Sequence, residues 1–160
     1  MPVQEQSDAA MIAWRRFLRA HCAISRVLDQ ELRAQHGLTI NDYDVLVQLR
    51  DSERQKLRMS DLAESVVLTR SGITRLVDGL VREGLVERVS CCSDARVAYA
   101  KITQEGLDRM AAARVTHING IQRVFSSHFS EEDVVKLGEL LGKLPASELG
   151  VEGCCAQHES

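Results

Sequence analysis

The amino-acid sequence predicts a mainly α-helical fold with one small β wing, and three observations carry that expectation. Residues 69–84, TRSGITRLVDGLVREG, place Ile73, Leu76, Val77, Leu80 and Val81 at i, i+3, i+4, i+7 and i+8, the one-sided stripe of an amphipathic helix. Directly after it, residues 85–90 and 97–102 alternate in part with the period of a strand, on either side of a stretch, 91–96, holding Ser and Asp turn residues. Long helical patterns occupy both ends of the chain.

Taken in order, residues from about 9 to 34 form a first long helix with Trp14, Phe17, Leu18, Ile24, Val27, Leu28 and Leu32 on its apolar side. That side is more than one neighbour would cover, which points to subunit contact. Gly37 ends the approach. Thr39 and Asp42 then form a capping box, Leu38 staples onto Tyr43, and a second helix runs to about Arg50, buried through Tyr43, Leu46, Val47 and Leu49. A charged stretch, 51–58, bridges to a short third helix opening at Ser60 and carrying Leu62, Ala63 and Val66. Thr69 caps the next helix and Gly84 stands where a left-handed C-cap is needed. Two short helices joined by a tight turn make a helix-turn-helix, and a hairpin straight after the second of them is a wing. Thr103 caps a long helix to about His128 with Leu107, Ala111, Ile118, Ile121 and Phe125 as its stripe, interrupted by Arg114. Ser130 and Asp133 form another capping box, and Val134, Leu137, Leu141 and Leu144 line a last helix that Pro145 stops. The reading is therefore a helical frame from 1–35 and 103–147, a winged helix-turn-helix from 36–102, and a flexible tail from 148–160.

The 160 residues suffice for one well-buried domain or a small module on an extra helical framework. A formal charge of −3 looks wrong for a nucleic-acid binder, yet between Lys56 and Lys101 eight Lys and Arg face six Asp and Glu, a local +2 that leaves −5 for the flanks. No basic leader runs into an apolar core and no apolar run reaches membrane-spanning length, so a cytoplasmic protein without membrane contact is expected. Five cysteines, with vicinal pairs at Cys91–Cys92 and Cys154–Cys155, make no disulfide framework, and no CxxC with matching His spacing suggests a metal site. There is no GxSxG, P-loop or HExxH, and His21, His36, His117, His128 and His158 are scattered, so neither an enzyme nor a cofactor is expected.

The polar face of the 69–84 helix holds Arg70, Ser71, Thr74, Arg75, Asp78 and Arg82. Hydroxyls and arginines in its first turns suit DNA, because N–H groups at a helix start bind phosphate while Arg and Thr reach base edges. The alternative is a merely solvated face. The order of elements, with Asp94-Ala95-Arg96 followed by Ile102-Thr103 and with the run from Arg70 to Val77, resembles the MarR family of bacterial transcription regulators across nearly the whole chain. That resemblance implies a homodimer whose first and last helices interleave, each subunit presenting its wing and recognition helix to one half of a palindromic operator. It assigns DNA contact to Thr69, Arg70, Ser71, Thr74, Arg75 and Arg96, with Asp94 orienting Arg96 for the minor groove. A surface ion pair stabilising the turn is the alternative for Asp94 and Arg96. A twofold dimer reading successive major grooves needs recognition helices roughly 34 Å apart, which a rigid helical frame can hold.

The first helix carries the clue to a signal. Trp14 and His21 fall on its apolar side, expected to be buried, and Arg15 is one position round. Converging on a cavity they would hold a small aromatic acid: Trp14 stacking, Arg15 gripping the carboxylate, His21 bonding a hydroxyl or the carboxylate, with Met59 and Met110 as soft walls. The resemblance implies the same class, since relatives bind phenolic or aromatic carboxylate effectors between dimer frame and DNA lobe. The alternative is a core histidine beside a rim arginine. Two further readings stay open: a thiol-responsive regulator using Cys22, with Arg15 or Arg26 as candidate neighbours, and a winged helix used only for protein contact.

Overall fold

The computed structural model describes residues 8–66, 70–90 and 97–144. Its helices are α1 (Asp8–His36), α2 (Ile40–Asp51), α3 (Met59–Ser65), α4 (Arg70–Arg82), α5 (Gln104–Val124) and α6 (Glu131–Leu141); its strands are β1 (Lys56–Arg58), β2 (Val86–Ser90) and β3 (Ala98–Ile102). The class is the expected one, mainly helical with a small antiparallel sheet. The sheet has three strands in the order β1-β3-β2, however, and β1 is a correction to the charged bridge expected over 51–58. Only Leu57 of its three residues is apolar, so no alternation marks it. A 3-10 turn at Glu53–Gln55, with Arg54 and Gln55 both at positive φ (57° and 56°), swings the chain so that Lys56, Leu57 and Arg58 pair with Lys101, Ala100 and Tyr99.

The local signals act as expected. Thr39 Oγ1 accepts from Asp42 N–H at 3.0 Å while Asp42 accepts from Thr39 N–H at 2.8 Å, and Leu38 and Tyr43 are both buried beneath the box. Ser130 and Asp133 repeat the pattern before α6. Thr103 Oγ1 caps α5 through Gly106 N–H at 3.1 Å. The core gathers Leu32, Leu38, Leu46, Leu49, Leu62 and their neighbours from α1, α2, α3, α4, the sheet and the first turns of α5. In α2, Val45 is fully buried and Val47 only partly, so Val45 takes the place expected for Val47.

The α1–α2 corner is held by Asp29. Its carboxylate accepts from Arg33 Nε at 2.6 Å and from the Ile40 N–H that opens α2 at 3.0 Å. Burial pushes this carboxyl up, but the two hydrogen bonds and the Arg33 charge outweigh it and hold the group below its ordinary value. Asp29 therefore contributes stability that is complete above the usual carboxylate range and is lost as pH falls through the lowered value. Thermal melts should show Asp29→Ala about 1 kcal/mol less stable than the parent at pH 7, and the gap should close as the pH falls through the lowered value of this carboxyl; a gap that does not change with pH would contradict this role.

The long helix α5 departs most from expectation. It stops at Val124, a 3-10 turn (Ser126–His128) replacing the last turn expected up to His128. The residues it buries are Gly106, Met110, Ala113 and Gly120, whereas Ala111 and Ile118 of the expected stripe are exposed. Small residues at 106, 113 and 120, seven apart, let α5 lie directly on the hairpin base and on α1: a Cβ on Gly120 would stand 2.6 Å from Leu28 Cδ2. Arg123 pairs with Glu31 beside that contact, and Thr116 lies 2.7 Å from His36 Nε2. Leu28 against Gly120 and His36 against Thr116 run in opposite order along the two helices, which are therefore antiparallel. Among the described residues nothing buries α1 before about Ile24. Helix α6 ends at Leu141 rather than running to the expected stop at Pro145, which lies outside the described residues, and it buries no residue.

Candidate nucleic-acid interface

Helix α4 divides by face as its periodicity requires. Ile73, Val77 and Leu80 are buried, while Ser71, Thr74, Arg75, Asp78 and Arg82 are exposed. Its end is a Schellman turn: Gly84, at φ 75°, donates to Val81 O at 3.0 Å, and Leu85 N–H reaches Leu80 O at 2.9 Å, with Leu80 and Leu85 both buried. Helix α3 meets α4 through Leu62 and Val66 in the same core, so α4 presents its polar side from a fixed bed. Thr69, Asp94 and Arg96 lie outside the described residues, as do Cys91, Cys92 and the tail from 148; the Arg70 side chain is not described either.

The hairpin after α4 pairs Val86 with Ile102 and runs out to Ser90 opposite Ala98. Arg88 on β2 donates to Asp78 on α4 at 2.8 Å, tying wing to helix. Asp78, read from sequence as part of the outward polar face, is therefore partly a brace. Arg88 was missed by the sequence reading, although its parity is informative: two residues from buried Val86, it stands on the side of the strand that faces the helices. On the other side of the sheet Lys101 bonds Glu87 at 2.9 Å. The exposed hydroxyls and cations of α4 can bond phosphate oxygens and base edges.

The residues expected to hold a ligand are not gathered by one chain. Trp14, Phe17 and His21 stack along α1 with ring centroids 6.1 and 6.4 Å apart, but Trp14 is 54% exposed and His21 and Arg15 are exposed as well, so the burial expected for Trp14 and His21 does not occur within the chain. The soft walls lie elsewhere. Met110 is buried in the core with Arg50 Nη1 at 3.6 Å from its sulfur, and Met59 opens α3 packed against that core. Leu28 meets Gly120 on antiparallel helices, so Trp14 and Met110, each well before that contact on its own helix, lie in opposite directions from it. Cys22 is exposed, in an open groove of about 320 Å³ that Leu18, Arg19, Ala23 and Arg26 also line. Among the described residues no helix is long and apolar enough to cross a membrane.

Comparison with known proteins agrees with this geometry. Residues 36–96, from the end of α1 to the wing, match the MarR family. The chain is 32% identical over 114 residues to the HTH-type transcriptional repressor YetL of Bacillus subtilis (strain 168), covering 69% of this chain and 68% of that protein. Among solved structures it is similar to AbsC, a MarR family transcriptional regulator from Streptomyces coelicolor, with 33% identity, a TM-score of 0.80 and coverage of 89% and 95%. It is also similar to Sco3205 from the same organism, a MarR family regulator crystallised in complex with DNA, with 28% identity, a TM-score of 0.79 and 86% of each chain covered. These relatives are transcription regulators and not enzymes. With a polar recognition face on α4, a hairpin braced to it and relatives of this kind, the chain belongs to the MarR family and is a DNA-binding transcription regulator.

Proposed function

We propose that the protein is a homodimeric repressor that holds a palindromic operator and releases it on binding a small aromatic acid or phenol. The observation that carries the reading is the pairing of an outward reader with an unpartnered apolar end. Ile12, Trp14, Phe17 and Leu18 at the start of α1 are each at least 40% exposed, a density of bare apolar side chains that marks a contact surface, and Ile118 on α5 and Leu140 on α6 are exposed as well. A second copy covers this end, and twofold symmetry then presents two α4 helices. Repression is supported by the role named for YetL, and operator binding by the DNA complex of Sco3205.

The effector site belongs to the Trp14, Arg15 and His21 side of α1, closed by the second copy. Met59 and Met110 are left out, since they serve the core. Aromatic acid binding shifts the pair only if it favours a spacing of the two α4 helices that the duplex does not accept. Gel retardation of the intergenic DNA beside its own gene should fall about 10³-fold in affinity between 50 and 200 mM salt, as expected for several phosphate contacts, and should be relieved by an aromatic carboxylate. By calorimetry, Arg15→Ala should bind that carboxylate at least ~10-fold more weakly, the loss of a paired charged hydrogen bond, while still retarding DNA. Unchanged effector affinity would remove Arg15 from the site; binding insensitive to salt would favour a protein-contact module.

A second reading follows from Cys22, whose exposure between Arg19 and Arg26 gives an oxidant access to the thiol. Release of DNA by peroxide that Cys22→Ser abolishes would replace the aromatic effector with a thiol signal.

A further inference from the structure

We infer that Arg88 is a positioning residue for the reading face of α4: by neutralising Asp78 it keeps that carboxylate from capturing Arg75 or Arg82 and from repelling the phosphates those arginines meet. This rests on the DNA-binding reading above. At about 100° per residue, Ser71, Arg75, Asp78 and Arg82 fall within an arc of roughly 60° on the side of α4 opposite buried Ile73, Val77 and Leu80. Asp78 is the one carboxylate of the helix, and it stands in the middle of the face turned to DNA. It lies in the third turn, beyond the reach of the partial positive charge at the helix start.

Arg75 precedes Asp78 by three residues and Arg82 follows it by four, spacings at which a helix pairs opposite charges. Neither pair forms. Among the described residues Arg75 and Arg82 make no ion pair, and the carboxylate is taken instead from β2, Arg88 Nη2 donating to Asp78 Oδ1 at 2.8 Å. Strand parity makes Arg88 the residue able to do this. Val86 and Arg88 share the side of β2 that faces the helices, while Glu87 turns to the other side, where Lys101 holds it at 2.9 Å. The cross-strand neighbours on the Arg88 side, Ala98, Ala100 and Ile102, are uncharged, so among the described residues no second carboxylate competes for the guanidinium. With Arg88 in place, the side chains of Arg75, Asp78, Arg82 and Arg88 carry a net +2; without it they carry +1, and an arginine drawn onto Asp78 no longer reaches a phosphate. The pair is 37% and 54% exposed, so it adds little to the stability of the fold, and its effect falls on binding.

The test titrates the operator duplex, located by footprinting on the intergenic DNA, against the parent, Arg88→Gln, Asp78→Asn and the variant carrying both changes, over a range of salt concentrations. Arg88→Gln should bind about 10-fold more weakly, with a salt slope shallower by about 1 per subunit, while melting within ~3 °C of the parent. Adding Asp78→Asn to it should restore the slope and bring the affinity back to within ~3-fold of the parent. Asp78→Asn alone should bind at least as tightly as the parent. Neutralising both residues unties the hairpin from the helix as completely as neutralising one, so a pair that served only as a tie would leave the double variant as weak as Arg88→Gln. An Arg88 that itself met a phosphate would do the same. That result overturns the inference, as does parent-like binding by Arg88→Gln or a loss in Asp78→Asn equal to the loss in Arg88→Gln. Failure of the parent to bind any duplex would overturn the DNA-binding reading itself, a separate result.

Discussion

A Gly106→Ala variant is expected to be severely destabilised, by about 3 kcal/mol or more, with a melting temperature lowered by roughly 10 °C. The added Cβ would stand 2.2 Å from the Leu85 carbonyl oxygen and 2.8 Å from Ile102 Cγ1. Neither neighbour can yield cheaply: Leu85 O accepts the Thr103 N–H at 3.0 Å, and Ile102 is 3% exposed in the core. The collision sits where the base of the hairpin meets the start of α5, so relief requires the wing and the long helix to part. Gly138→Ala is the control, because nothing lies within 4 Å of a Cβ there and an exposed helical glycine gains from alanine. Thermal unfolding followed by circular dichroism decides the matter. Equal melting of Gly106→Ala and parent would mean that the packing of α5 on the hairpin is misread.

The second large effect concerns recognition. Arg75 is exposed one helical turn beyond Ser71, next to Thr74 on the face of α4 away from Ile73 and Val77. Arg75→Ala should cost about 1–3 kcal/mol per half-site in operator binding, felt twice by a twofold protein, while thermal stability stays within ~0.5 kcal/mol of the parent. Titrating operator and unrelated DNA side by side separates two roles. A loss confined to the operator marks a base contact; an equal loss on both, with a shallower salt slope, marks a phosphate contact. Operator affinity matching the parent would remove α4 as the reader.

The elements legible in the sequence are those whose cause is local. Thr39 with Asp42 and Ser130 with Asp133 each carry their partner three residues away, Gly84 needs only its own backbone freedom, and the stripe of Ile73, Val77 and Leu80 repeats within one helix. Strand β1 was not legible because it exists only through its ladder with β3, some 45 residues later, and its own composition is charged. The packed face of α5 was hidden for the opposite reason. A hydrophobic pattern finds large apolar side chains, and on α5 Val115 and Ile118 are 61% and 48% exposed, while the contact with the chain's own core is made by Gly106, Ala113 and Gly120, which carry no such signal. Likewise Trp14 and His21 lie on an apolar side that this chain leaves uncovered, and Met110 serves the core beside Arg50 rather than a cleft.

The amino-acid order by itself determined which segments are helix or hairpin, where most helices begin, and which face of α4 is offered outward, since each follows from contacts within a turn or two of chain. Tertiary structure alone decided that Arg88 braces the wing against Asp78, that Lys56 and Arg58 flank Tyr99, and that α5 approaches the hairpin and α1 through glycines. Those outcomes depend on distances between residues remote in sequence, set by how closely whole elements can approach, and no periodicity within one segment encodes that distance.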